Sequence, residues 1–126
     1  MSDKQLHRGS IIWARLRGPN GELILDGYQQ PKARPSLVLS SSTDIEAGNG
    51  LVVAAISTQF DRRNLPPHWF SAPSQPGGHP ITGLDQPCVV KSDWLCRILV
   101  TDVIRISPSV SGRLTRQVLN WLNSQH

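Results

Sequence analysis

Arg34-Pro35 opens the apolar run Ser36-Leu37-Val38-Leu39-Ser40, and a second run, Leu51-Val52-Val53-Ala54-Ala55-Ile56, ends in the hydroxyl pair Ser57-Thr58. Each run predicts a buried strand, the first entered by a cation and the second left by hydroxyls. Antiparallel pairing would set the start of one beside the end of the other. An arginine would then face a Ser/Thr pair, an arrangement suited to gripping a phosphate. The guanidinium contributes fixed charge and a planar fork of donors, and the hydroxyls add further hydrogen bonds. The same residues also suit plain structural roles, since Arg-Pro enters many strands and Ser-Thr is ordinary turn chemistry.

Cleaving a ribonucleotide without a metal needs three groups. A base takes the proton of the ribose 2′-OH, donors stabilise the charged phosphorus of the transition state, and an acid protonates the leaving 5′-oxygen. Arg34 suits the second task, with Ser57 or Thr58 donating to the non-bridging oxygens. Asp93 is a candidate base, and Lys91 an electrostatic clamp or acid. Two residues apart on a strand, Lys91 and Asp93 should share one face, although a solvated strand face looks the same. His68 and His79 are candidates for acid–base work, because histidine as a residue type changes charge near neutral pH, but they lie in or beside loops, where histidines usually do no more than meet solvent. Gln59, Arg62 and Arg63, in the connection after Thr58, are candidate RNA-binding residues, the arginines for single-strand phosphates or simply as solvated loop charges. Tyr28 and Trp69 are candidate platforms for splayed bases. Trp69 reads more readily as core, because its run is strand-like. Trp13, Trp94 and Trp121 are core or interface candidates first.

The elements that must position these residues are short strands broken by Pro/Gly-rich loops. Strands are expected at 10–16, 36–41, 51–57, 68–71 and 87–93, with an edge piece at 22–25 and one or two more within 95–106. Residues 72–83, rich in proline and glycine, predict a loop. A closing helix is expected, with Ser107 as N-cap and Pro108 at its first position. Val110, Leu114, Val118, Trp121 and Leu122 recur at helical spacing as its apolar face. Gly112 weakens the first turn by up to about 1 kcal/mol relative to alanine. Many short strands and one terminal helix predict a mainly β fold, a small bent barrel with an appended helix, as a single domain over 1–126.

Composition is consistent with this size of fold. The net charge is +4 and the pI about 9.7, a mild bias towards polyanions without the dense Lys/Arg tract of a nucleic-acid-wrapping arm. Cys88 and Cys96 make no CxxC pair, and with four histidines they give no zinc spacing, so neither a metal nor a cofactor is expected. Free thiols, a short polar start over residues 1–5 and no apolar stretch near the roughly 20 residues of a bilayer span predict a soluble cytoplasmic protein.

In order and spacing the chain resembles the MazF/PemK family of toxin endoribonucleases from bacterial toxin–antitoxin pairs. The resemblance runs through Arg8-Gly9-Ser10-Ile11-Ile12-Trp13, Arg34-Pro35-Ser36-Leu37-Val38-Leu39-Ser40 and Val53-Ala54-Ala55-Ile56-Ser57. It continues in Gly83-Leu84-Asp85-Gln86-Pro87-Cys88-Val89-Val90 and Ile106-Ser107-Pro108. It implies a small SH3-like (MazF/CcdB-type) barrel, usually a homodimer. It also implies metal-independent cleavage of single-stranded RNA at short sequences, through a 2′,3′-cyclic phosphate, and a cognate antitoxin as partner. The family's Arg-Pro arginine matches Arg34, and its hydroxyl after the third strand matches Ser57, with Thr58 adjacent. A basic residue and an aspartate two apart, present in one branch, match Lys91 and Asp93, with lysine in place of arginine. Two stretches depart from the family. Residues 17–33 form a longer loop carrying Tyr28-Gln29-Gln30 in place of a compact Gly-Ser/His-Glu-Gln segment. Asp93-Trp94-Leu95-Cys96-Arg97 stands where Gln-x-Arg-Thr is frequent. Toxins of related fold poison protein targets by binding, so fold by itself does not decide activity, and two alternatives stand beside the nuclease: a non-catalytic binding module on the same barrel, and a structural or regulatory domain that binds only its antitoxin.

Overall fold

The run 51–56 is apolar at every position because its strand is buried on both faces. In the computed structural model, which describes residues 6–125, Ala54 and Ile56 join one apolar cluster while Val53 and Ala55 join another. Residues 1–5, read above as a polar start, lie outside the described residues. The strands are β1 (Ser10–Arg15), β2 (Ala33–Val38), β3 (Leu51–Ser57), β4 (Trp69–Ala72), β5 (Cys88–Ile98) and β6 (Val103–Val110). They form one antiparallel sheet in the order β4-β5-β3-β2-β1-β6, curled into the half-barrel that the mainly β expectation required. Two α-helices, α1 (Ser42–Glu46) and α2 (Gly112–Asn123), and a 3-10 turn over Val100–Asp102 complete the fold of the described residues.

Alternation along the strands divides the core. Ile11, Leu37 and Val90 point to the side covered by α2, where Leu114 and Val118 meet them. Ile12, Val38 and Ile98 point to the other side, with Leu16 and Leu51. Leu37, Leu51 and Leu114 are at most 1% exposed, and burying each such side chain contributes about 1.5–3 kcal/mol.

Three local expectations are corrected. The terminal helix starts at Gly112 with Ser111 as its N-cap, its side chain accepting from Leu114 N–H. Ser107 and Pro108 belong instead to β6. The Ser107 hydroxyl accepts from Ile11 N–H at 3.0 Å and donates to the Ser109 carbonyl at 2.7 Å. The cap-like Ser-Pro pair thus mends the ladder at an irregularity between β1 and β6, where the register shifts. Val110 leaves the helix face with it and is an exposed strand residue. The polar link between β2 and β3 holds the short helix α1, capped by Ser41. The edge piece at 22–25 makes only isolated bridges, Arg17 with Leu23 and Leu25 with Pro31.

The fifth strand is longer than the 87–93 run, and its irregularity matters for the site. Ala55 pairs with Lys91 but Ala54 pairs with Leu95. Ser92, Asp93 and Trp94 are therefore extra on β5, forming a bulge that bends the strand. Ser92 turns inward, fully buried, and donates to the His68 carbonyl. Asp93 and Trp94 are left outside.

Candidate active site

Neighbouring strands bring the first candidates together. Ser36 pairs with Ala55 and Leu37 with Ala54, a register that, continued by two residues, sets Arg34 across from Ser57. Both line one cleft of about 690 Å³, together with Thr58, Gln59 and Lys91. Arg34 is half-buried. Its Nε, and the neighbouring Ser36 hydroxyl, are buried atoms with no hydrogen-bond partner among the described residues. Leaving such a group unsatisfied costs about 1–3 kcal/mol. Ser57 Oγ accepts from Gln59 N–H at 3.0 Å, which fixes the turn where β3 runs out.

Lys91 reaches the cleft between two indoles. Its Nζ stands 4.7 Å from the Trp69 ring centroid and 5.8 Å from that of Trp94. Asp93 also meets Trp69, but at the ring edge. The indole N–H donates to Asp93 Oδ1 at 2.8 Å, and His68 Nε2 lies 3.2 Å from Oδ2. His68 in turn stacks on Trp121 of α2, with centroids 4.5 Å apart. Asp93 does not line the cleft. Burial pushes its carboxyl upward, but hydrogen bonds from Trp69 and His68 outweigh that and hold it below the usual range.

Other candidates are dispersed. Arg62 lies over the Phe60 ring, 6.0 Å from its centroid, and lines a separate groove with Leu65 and Ser71. Arg63 is exposed in the same connection, its backbone N–H held by Asp61. Tyr28 is 86% exposed and lines neither. His79 Nδ1 accepts from Ile81 N–H, a turn-forming role.

The cleft also contains residues that sequence reasoning missed. Arg105 stacks on Trp13 at 3.9 Å, and the two are partners in the β1–β6 register. Gly83 has φ +73, and a Cβ there would stand 3.1 Å from the Trp13 ring, so only glycine fits beside that indole without displacement. Lys32 and Asp85 add charge. Asp26 Oδ1 accepts from the Gln30 and Tyr28 backbone N–H groups, which hold its carboxyl below the usual range against burial, aided by the charges of Lys32 and Arg34. An Asp-Gly-Tyr turn signal was present at this point, but nothing in one sequence shows that the loop folds back beside Arg34. Cys88 lines the cleft as a neutral thiol, because burial, and then Asp85, push it up to about 11. Nucleophilic thiolate chemistry is thereby disfavoured. Among the described residues, no three His, Cys, Asp or Glu side chains converge as a metal site.

A cation at a strand entry, opposite hydroxyls at a strand exit, is therefore an arrangement of this fold. The model of the PemK-like, MazF-like toxins of type II toxin–antitoxin systems matches residues 7–125. The chain belongs to this family. Among solved structures it is similar to an endoribonuclease in complex with its cognate antitoxin, from a mycobacterial species. The TM-score is 0.62 at 18% identity, over 94% of this chain and 92% of that one. At that identity the likeness is one of fold. No curated protein matches the chain in sequence. For this PemK/MazF-like toxin, the match spans every strand from β1 to β6 and the helix α2.

Proposed function

We propose that this toxin cleaves single-stranded RNA in the cytoplasm without a metal, by attack of a ribose 2′-oxygen on the adjacent phosphorus. The observation that carries this reading is the buried Arg34 Nε–H, unpartnered among the described residues, in the cleft that Ser57 and Thr58 also line. The 2′-O–P bond forms as the P–O5′ bond breaks, leaving a 2′,3′-cyclic phosphate and a 5′-hydroxyl. Arg34 stabilises the charge on the non-bridging oxygens, and Ser57 and Thr58 donate to them. Lys91 gives its proton to the departing 5′-oxygen. Asp26, ionised and in the cleft, takes the proton of the 2′-OH. Asp93 acts at one remove, holding the indole on which Lys91 rests.

The inhibitory partner in this reading is an acidic, partly disordered antitoxin segment that covers Arg34. The net charge of +4 and the cations of the cleft suit such a ligand, and the mycobacterial protein of similar fold is itself seen with an antitoxin.

Incubation with single-stranded RNA and excess chelator tests the proposal. Cut ends should carry 5′-hydroxyls, and RNA with a 2′-deoxy nucleotide at the cut position should resist. Cleavage of that analogue at the normal rate would rule out 2′-OH attack. Intact RNA beside undiminished antitoxin binding would leave a non-catalytic module.

A further inference from the structure

The β5 bulge places Trp94 between two clefts. One is the cleft of Arg34 and Lys91. The other, of about 850 Å³, is walled by Ile24, Leu95, Leu99 and Arg97, on the far side of the bulge. Trp94 is the one described residue that lines both. Trp94 is 37% exposed, and Leu95 and Leu99 beside it are 41% and 52% exposed. The charged residues of this second cleft are Arg17 and Arg97, both cations. Arg17 is held by Asp102 at 2.8 Å, and Arg97 gives one N–H to the Asn49 carbonyl at 2.9 Å.

We propose that Trp94 and this second cleft form a nucleobase subsite for the RNA strand, next to the scissile phosphate. The inference rests on the RNA-cleavage reading and adds a specificity determinant to it. A strand needs a π-face for its base and a cation for its phosphate at neighbouring positions. Trp94 provides the face. Lys91, with its Nζ 5.8 Å from the same ring, lies on the cleavage side. A base stacked on the indole keeps its adjoining phosphate directed towards Lys91 and Arg34, while its apolar body lies against Leu95 and Leu99. With Arg17 paired by Asp102, Arg97 leaves the cleft one cation without a carboxylate partner among the described residues, which favours a polyanion over an apolar protein surface as the occupant. The cleft's continuity with the Arg34 site through one side chain favours the strand already held there.

The test compares the wild type with Trp94→Ala and Trp94→Phe. Affinity is measured with a 2′-O-methyl RNA oligomer, which cannot be cleaved by 2′-OH attack, and cut positions are mapped on a long single-stranded RNA of known sequence. Trp94→Ala should weaken binding by about 5- to 150-fold, the usual worth of one base–aromatic stack, and relax the preference at one position beside the cut. Trp94→Phe should keep most of both. Affinity within about twofold and an unchanged cut map would remove the subsite while leaving the RNase reading intact. A lower solution mass for Trp94→Ala with unchanged RNA behaviour would overturn it in favour of a contact between copies. A wild type that neither binds nor cuts RNA would overturn the parent reading, and the subsite with it.

Discussion

The indole N–H of Trp69 donates to the Asp93 carboxylate at 2.8 Å. One bond across the β4–β5 ladder thus fixes the plane of a ring whose face supports the Lys91 ammonium. Asp93 sits two residues from Lys91, yet the bulge at Ser92 sends it outward to the ring edge. Its influence on the cleft therefore passes through Trp69 and depends on that ring staying in place.

Two carboxylates can accordingly be told apart. Asp26→Asn should lower single-turnover cleavage by about 10²–10⁴, the usual contribution of a general base. Asp93→Asn should reduce the rate less, because an amide oxygen still accepts from Trp69. A larger loss at Asp93 than at Asp26 would return the base to Asp93.

Arg34 should act on the transition state more than on RNA binding. It is held at the entry of β2 across from the exit of β3, so the donor is preorganised. Arg34→Ala should cost about 10²–10³ in rate, as loss of one such donor does. Arg34→Lys keeps charge but not the planar fork and should rescue only in part. RNA affinity should fall far less, since Arg62, Arg63 and Lys91 remain. Cleavage within about threefold of wild type, small against that donor effect, would remove Arg34 from this role.

The cleft's cations predict how inhibition fails. An acidic antitoxin segment should bind Arg34→Ala more weakly than wild type by calorimetry, and increasingly so at low salt, where surface charges are least screened. Equal affinity would place the segment elsewhere.

Acid should loosen the β5–β6 corner before the core. Asp102 accepts from Arg17 Nε at 2.8 Å and Nη2 at 3.1 Å, and from Leu99 N–H at 2.9 Å. The Arg17 bond is the main cause that holds its carboxyl below the usual range, against burial. A lowered folded value means that stability is fully present above the unfolded value of about 4 and is lost as pH falls through the folded one. Thermal melts between about pH 5 and pH 2 should therefore fall less steeply for Asp102→Asn, from a lower neutral starting point. Parallel acid limbs for the two proteins would show that the ion pair contributes nothing.

The sequence by itself determined the pieces whose causes are local. Alternating and continuous apolar runs gave β1, β2 and β3. Helical spacing of Leu114, Val118, Trp121 and Leu122 gave α2, and the order of its motifs carried the family resemblance. It could not set the start of α2, because Ser107-Pro108 has the chemistry of a cap but is used by β1 across the sheet. It also could not assemble the cleft. Asp26, Gly83, Arg105 and Trp94 join Arg34 there only through the curl of the sheet, the return of the 17–33 loop and the extra residues of β5. Those are long-range pairings, and no spacing along one chain encodes them.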